Sequence, residues 1–449
     1  MGGLALGSLL AGRMADRSKN PLRLFGFVEF LIGVCAVATP AALSAVHHLF
    51  LGVSANLPDS GAVAIVIRFL LAVIVLIVPM ALMGATLPIV VKSSLSRIEG
   101  VGSRVGVLYA TNTSGAIAGT LLAGFYLIPA IGLTRSFFLA ASVNAVVGLT
   151  AIALSSLRYR SASVEPAPVD ASSPSRAPSS RVPALVVAVF VVSGFASLAL
   201  EVIWFRVFVI FLGPTSYSFT VMLAAVLVGI ALGSALIAPF MRWRKADWLQ
   251  VLALLQMAAA VVALQSFSAI RRTPKLPDWL QGLVTSLGLE FAAGAVFVSV
   301  MAILPTALFF GLAFPVGLRL WAGAEGTEGH TAERIGFFYS LNVCGGVLGS
   351  ILAGFWLLPH FGSRTSLIVM AGLFLASGFA LQAALARRRP IITVLTAFAA
   401  MMFVSRSMAM PDPLELARLR HGGGREVFKE EGVQTTVSVV GDVGGSRIL

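Results

Sequence analysis

The sequence predicts an all-α polytopic membrane protein made of two duplicated six-helix halves, the first incomplete, with a short β-meander at the C-terminus. Hydropathy, the placement of basic residues and an internal repeat together predict it. Of the 449 residues, 58% are hydrophobic and only 11% are charged, where a globular chain carries roughly 25% charged residues. A single soluble core cannot hide that much apolar surface. Soluble enzyme, disulfide scaffold and disordered chain are therefore excluded for the chain as a whole, and lipid is the solvent of most of it.

A helix that crosses the bilayer needs roughly 20 apolar residues. Runs of that size lie near 22–45, 62–91, 105–128, 133–155, 184–212, 216–241, 247–268, 287–318, 335–358 and 364–386. Residues 2–12 are apolar but too few to cross. The run at 391–404 holds about 14 apolar residues, short for a crossing and suited to an interfacial or re-entrant segment that would keep the following chain cytoplasmic. If the runs alternate, six basic groups fall on one side: Arg13 to Arg23, Lys92 to Arg104, Arg158 to Arg181, Arg242 to Lys245, Arg319 with Arg334, and Arg387 to Arg389. The opposite loops hold only Arg135, Arg271, Arg272, Lys275 and Arg364. Cytoplasmic loops collect Lys and Arg, so the net charge of +13 reads as membrane orientation rather than affinity for nucleic acid, and the lipid bilayer is the first partner implied.

Residues 161–182, SASVEPAPVDASSPSRAPSSRV, are dominated by Pro, Ser and Ala without apolar periodicity, as in a flexible cytoplasmic linker. They divide a first membrane half, 1–160, from a second, 183–389. A short apolar segment, 390–411, leads to a polar tail, 412–449. The halves repeat one another. YATNTSGAIAGTLLAGFYLIPAIG at 109–132 aligns with YSLNVCGGVLGSILAGFWLLPHFG at 339–362, PMALMGATLP at 79–88 with PTALFFGLAFP at 305–315, and GLALGS at 3–8 with GIALGS at 229–234. Three blocks in the same order mark a duplication. The second half holds six runs and the first only four plus a stub, so the first is expected to lack about one and a half helices at its start.

Paired six-helix halves joined by a cytoplasmic linker resemble the architecture of major facilitator transporters. The loop Gly12-Arg13-Met14-Ala15-Asp16-Arg17 is similar to the G-x-x-A-D-R loop that follows the second helix in that family. The resemblance implies that Asp16 and Arg17 latch neighbouring helices on the cytoplasmic side; a capping Asp beside orienting bases is the alternative. PFMRWRKAD stands at the matching place of the second half, so the motif is not duplicated.

Glu29, Arg68, Glu201, Arg206 and Glu290 interrupt apolar runs. Ionisable groups in lipid are costly and usually face the bundle interior. Glu201 and Arg206 are five apart on a helix and point in different directions, so each is expected to meet another helix, either along a substrate or ion path or as an inter-helix lock. Arg68 and Glu290 suit a place near the outer interface. Asn112 and Asn342 occupy equivalent positions one turn before Gly115 and Gly345, where amides bond across helices and glycines let backbones approach; packing is the preferred reading. Pro79, Pro88, Pro305 and Pro315 are expected to break long helices at matched positions. Cys35 and Cys344 read as buried free thiols, and His47 with His48 as solvated residues of a connecting segment, so no metal site is implied.

After residue 411 the composition becomes polar. Glu426–Lys429 and Val433–Val440 read as strands, Gly441–Gly445 as a turn, and Arg447–Leu449 as the start of a third strand, the opening of a soluble domain. Together with Glu201-x2-Trp204-x-Arg206, the block at 82–88 and both Tyr-x2-Asn-x2-Gly blocks, EVFKEEGVQTTVSVV makes the whole chain resemble bacterial membrane proteins fused to a spermidine synthase-like, or polyamine aminopropyltransferase-like, domain. The resemblance implies a multi-pass protein of the bacterial inner (plasma) membrane. It places Gln434 near the cofactor, decarboxylated S-adenosylmethionine, of a following Rossmann-like domain. The Gly-rich loop and catalytic Asp of that domain have no counterpart in these residues, so this chain is expected to hold no catalytic residue and no cofactor of its own. Two further readings stay open: a major-facilitator-type transporter of a polyamine or related small molecule, and a helical membrane anchor or scaffold.

Overall fold

The computed structural model describes residues 1–54, 61–94, 101–161, 181–212, 216–242, 246–271, 299–322, 331–385, 390–420, 425–431, 436–441 and 447–448, with positions 278, 282, 285–286 and 296–297 between them. The described chain is almost entirely helical. Helices α1 (Gly2–Arg17), α2 (Pro21–Ser54), α3 (Gly61–Ser94), α4 (Val101–Leu122) and α5 (Ile128–Ser161) precede the linker region. After it come α6 (Arg181–Leu212), α7 (Ser216–Ile237), α8 (Trp248–Ala263), α9 (Ser266–Arg271), α10 (Leu304–Ala322), α11 (Thr331–Leu352), α12 (Leu358–Ala383), α13 (Pro390–Ala409) and α14 (Pro413–Arg420).

Among the described residues, eight helical stretches are long and apolar enough to cross a membrane. Two of them, Ala110–Leu157 with 48 residues and Ala332–Ala383 with 52, are about twice the length of a crossing. Both turn a corner at a glycine in the left-handed region: Gly132 (φ 80, ψ 167) and Gly362 (φ 70, ψ 172). Each therefore counts as two crossings, and the described residues hold ten. α1, with 16 residues, is too short to cross alone. Residues 162–180 of the expected linker lie outside the described residues, as do Glu290 and the rest of 287–295 at the start of the run expected at 287–318.

The duplication recurs in the packing. A Cβ added at Gly3 would stand 2.5 Å from Met80 Cβ and 2.9 Å from the Ile77 carbonyl; at Gly229 it would stand 2.5 Å from Ala307 Cβ and 2.9 Å from the Leu304 carbonyl. Gly7 touches the Ala81 carbonyl and Gly84 that of Leu4, as Gly233 touches Leu308 and Gly311 touches Ile230. The crossings of α1 with α3 and of α7 with α10 are thus built on the same small residues, which bring backbones together without needing water to be expelled. α2 packs along α5 through Gly26 and Gly148, and α8 along α12 through Ala253 and Gly378. Matching π-helical turns follow α4 at Ala123–Leu127 and α11 at Ala353–Leu357.

Two compact units form. One contains Met1–Glu99, Leu127–Pro178 and Ala322–Cys344; the other contains Gly100–Tyr126, Ser179–Trp321 and Gly345–Leu449. They do not follow the halves of the sequence. α4 packs along α7 and joins the second unit, while the first turns of α11 pack on α1 and join the first. The core of the second unit centres on Trp204, Phe208, Phe267 and Phe374, all essentially inaccessible.

Several local expectations are corrected. Pro79 and Pro88 lie inside an unbroken α3; of the second set, Pro315 lies inside α10 and Pro305 in its first turn, just after a turn at Ile303. His47 and His48 sit on the last turns of α2 rather than in a connection, because that helix continues to Ser54. Cys344 is exposed on α11 rather than buried, and both thiols are free.

The expected short apolar segment forms α13, 20 residues long, whose apolar stretch Thr393–Ala409 is shorter than the eight candidate crossings. It runs antiparallel to α12. Gly372 faces Phe403, and at the far end Arg364 donates to the Ser407 carbonyl while Arg406 donates to Gln265, just beyond α8. Met410 and Leu414 are buried after it. The tail therefore leaves from the end of the second unit opposite Trp248 and Arg319. There β1 (Arg425–Glu431), β2 (Thr436–Gly441) and β3 (Arg447–Ile448) form an antiparallel meander in the order β1-β2-β3.

Candidate functional site

The densest polar junction among the described residues lies where α1 ends. Its buried Ala11 and Ala15 share an apolar seat with Ile89 and Ala332, which fixes the last turn of α1 against α3 and the start of α11. A Cβ at Gly12 would stand 2.7 Å from the Ala332 carbonyl, so only glycine admits this approach. One turn on, the Asp16 carboxylate accepts the backbone N–H of Ala332 at 3.2 Å and of Glu333 at 2.8 Å. These are orphan donors of the first turn of α11, and the positive end of a helix favours a carboxylate. Lys92, at the end of α3, stands 2.9 Å from Asp16 Oδ1; the Asp16 side chain is only 6% exposed. On the open side, Arg13 Nε donates to Glu333 Oε1 at 2.7 Å, and Ser8 Oγ donates to the Gly336 carbonyl at 3.2 Å. A cap is worth about 1 kcal/mol, and removing one partner of a buried ion pair costs about 3 kcal/mol, so Asp16 dominates the junction.

Asp16 and Gly12 thus meet a helix more than 300 residues away. Arg17 is exposed and makes no ion pair among the described residues. Lys92, Arg13 and Glu333 complete the junction, and sequence reading missed them: Lys92 and Arg13 were indistinguishable from orienting bases, and nothing local pairs Glu333 with position 13.

A second polar set lies within the second unit. Ser193, Ser197 and Glu201 are spaced four apart and share a face of α6. Gln256 of α8 donates to Ser193 Oγ at 2.9 Å, and the inaccessible Trp204 donates from Nε1 to Ser266 Oγ at 3.2 Å. Glu201 is half-buried, and no basic side chain pairs with it among the described residues; Arg206, also half-buried, is engaged elsewhere. Together these make a membrane-depth carboxylate with hydroxyls one and two turns away. Glu29 is half-buried on α2, in the other unit. Arg68 lies over the Phe50 ring at 5.5 Å. Asn342 is half-buried and bonded, whereas Asn112 is exposed on α4. Gln434 lies outside the described residues.

The chain is a multi-pass helical membrane protein. No protein-family model matches it, and no curated protein matches it. Among solved structures, the crystal structure of the human organic anion transporter MFSD10 (TETRAN) is similar at 15% identity and a TM-score of 0.46, covering 85% of this chain and 81% of that one. At that score the likeness adds nothing to the fold, which rests on this protein's own helices and their repeated contacts.

Proposed function

We propose that the protein is a transporter of major-facilitator type for a polyamine or a related small molecule, in a bacterial plasma membrane. The Asp16 junction carries this reading. It ties a helix of the first repeat to a helix of the second by two cap bonds and two ion pairs, all of which water can replace. Such a contact has two states, made and broken, and alternating access needs an element of that kind. Glu201, on a hydroxyl-bearing face of α6, is the carboxylate proposed to meet a cationic substrate at membrane depth.

A second reading, the membrane anchor of an aminopropyltransferase-like domain, is favoured by the antiparallel meander β1-β2-β3. The course of α13 weighs against it: the tail leaves the second unit at the end opposite Arg319, whereas decarboxylated S-adenosylmethionine is a cytoplasmic compound.

Uptake of labelled spermidine into vesicles containing the full chain tests the first reading. Uptake above that of empty vesicles, lost on Glu201→Gln, is expected; uptake equal to empty vesicles overturns it for polyamines. A cysteine at Asp412 separates the two readings. Labelling by a membrane-impermeant maleimide in intact cells is the expected result, and labelling only after lysis returns the tail to the cytoplasm and favours the anchor.

A further inference from the structure

Within the second unit, three hydroxyls are fully buried and have no hydrogen-bond partner among the described residues: Ser299 Oγ, Thr306 Oγ1 and Ser366 Oγ. A helical serine or threonine ordinarily bonds to its own preceding turn, as Ser266 does to the Ala263 carbonyl at 2.7 Å and Ser340 to that of Phe337 at 2.9 Å. These three do not, and the fold brings them to one seam. Arg319, in the last turn of α10, lies over Trp248 at the start of α8, so α10 begins at the end where Arg406 meets Gln265. α12 begins there too, where Arg364 donates to the Ser407 carbonyl. The two helices thus run in parallel, and the rings of Phe310 and Phe374 stack between them at 5.1 Å. Bonds from Ile303 N–H to the Ser299 carbonyl (2.9 Å) and from Ala307 N–H to the Ile303 carbonyl (3.0 Å) carry the helical ladder of α10 back to Ser299. Ser299, Thr306 and Phe310 therefore share a face, and Ser366, Met370 and Phe374 form one row of α12. At 1.5 Å per residue, Thr306 stands about 6 Å from the ring stack, Ser366 about 12 Å and Ser299 about 16 Å.

The first repeat has no such row. Val73 and Met80 occupy the places of Ser299 and Thr306, and Ser136, the counterpart of Ser366, donates to the Gly132 carbonyl at 2.7 Å. A buried hydroxyl without a partner is costly, and internal water is what usually satisfies such groups. Neither face of the seam carries a carboxylate or an imidazole; neutral hydroxyls alone suit water rather than a metal ion.

We infer that the seam between α10 and α12 binds a file of water molecules. The file enters at the Gln265 end, passes Ser299, Ser366 and Thr306, and stops at the Phe310–Phe374 stack. It brings water to membrane depth inside the second unit from one side only, and it is independent of whether the protein transports anything.

The test uses the full chain in nanodiscs in a Cys35→Ser, Cys344→Ser background, with silver ion as a water-sized thiol reagent. Thr306→Cys and Ser366→Cys are expected to react about tenfold faster than Leu367→Cys, which is equally buried in the adjoining apolar core. Equal rates at the three cysteines overturn the inference. Thr306→Val, which keeps the shape and removes the hydroxyl, supplies a second measurement. Where water is bound, it takes away one of that water's partners and is expected to lower the melting temperature by about 3 °C. At a dry site it removes an unsatisfied group, so a melting temperature at or above that of the unsubstituted chain overturns the inference as well.

Discussion

Helices α4 and α11 follow one pattern, Asn-x2-Gly-x3-Gly at 112–119 and at 342–349, and each runs into a π turn and a glycine corner. In α11 both glycines meet the backbone of α6; in α4 they meet open space. A small-residue motif thus sets how near another backbone can come, while the presence of a partner is decided elsewhere in the chain. The sharpest way to break this comparison is to fill the two grooves. Gly349→Leu forces a side chain into the Phe195 carbonyl and is expected to destabilise the bundle by about 3 kcal/mol, as overpacking at a close contact does. Gly119→Leu in the chain alone is expected to change stability by less than about 0.5 kcal/mol. Melting in detergent compares them, and similar losses in both variants would mean that α4 is covered after all.

The charged ends of the two copies differ in a complementary way. Lys92 and Arg319 occupy equivalent places at the ends of α3 and α10. Lys92 pairs with Asp16, whereas Arg319 donates to the Met241 carbonyl and lies 4.7 Å over the Trp248 ring. The second copy has Arg242 where the first has Asp16, so the same basic position finds a carboxylate in one copy and only a carbonyl and a ring in the other. Asp16→Ala is therefore expected to cost about 2 kcal/mol, between the value of a cap and that of a broken buried pair. Hydrogen exchange at the amides of Ala332 and Glu333 should accelerate with it. Asp16→Asn keeps an acceptor for the cap, loses the attraction of Lys92, and should fall between wild type and Asp16→Ala. Unchanged exchange in Asp16→Ala would remove the cap from the account. Arg319→Gln is expected to cost only about 1 kcal/mol, the scale of a partly desolvated cation–π contact.

Much of this architecture was legible in the sequence because its causes are local. Apolar runs of crossing length, the bases between them and the repeated glycines each act within one or two turns, and the crossings on Gly7 and Gly233 were visible as GLALGS and GIALGS. Gly12 and Asp16 were visible as a motif, but their partner was not. The N–H groups of Ala332 and Glu333 are ordinary backbone donors, and no spacing connects position 16 to position 332. The anchoring of α13 was hidden for a related reason. Its short apolar run was visible and matches the helix, but Arg364 and Arg406 hold its far end beside α8 and α12, and tertiary contacts of that kind leave no trace in a hydropathy window.

The smallest expected effect tests the same comparison one turn away from the glycines. Asn342 is half-buried and bonded, and Asn112 is exposed. Sequence reading assigned both a packing role, on the ground that equivalent amides in equivalent copies bond across helices. Hydrogen bonds between membrane helices average about 0.6 kcal/mol because the alternative state also finds partners. Asn342→Leu should therefore lower stability by about that amount, whereas Asn112→Leu in the chain alone should be neutral or slightly stabilising, since it exchanges an exposed amide for an apolar side chain on a lipid-facing helix. The order of the two variants matters more than either value. If Asn112→Leu is as costly as Asn342→Leu, the amide already has a partner, and the asymmetry between α4 and α11 is confined to the glycines.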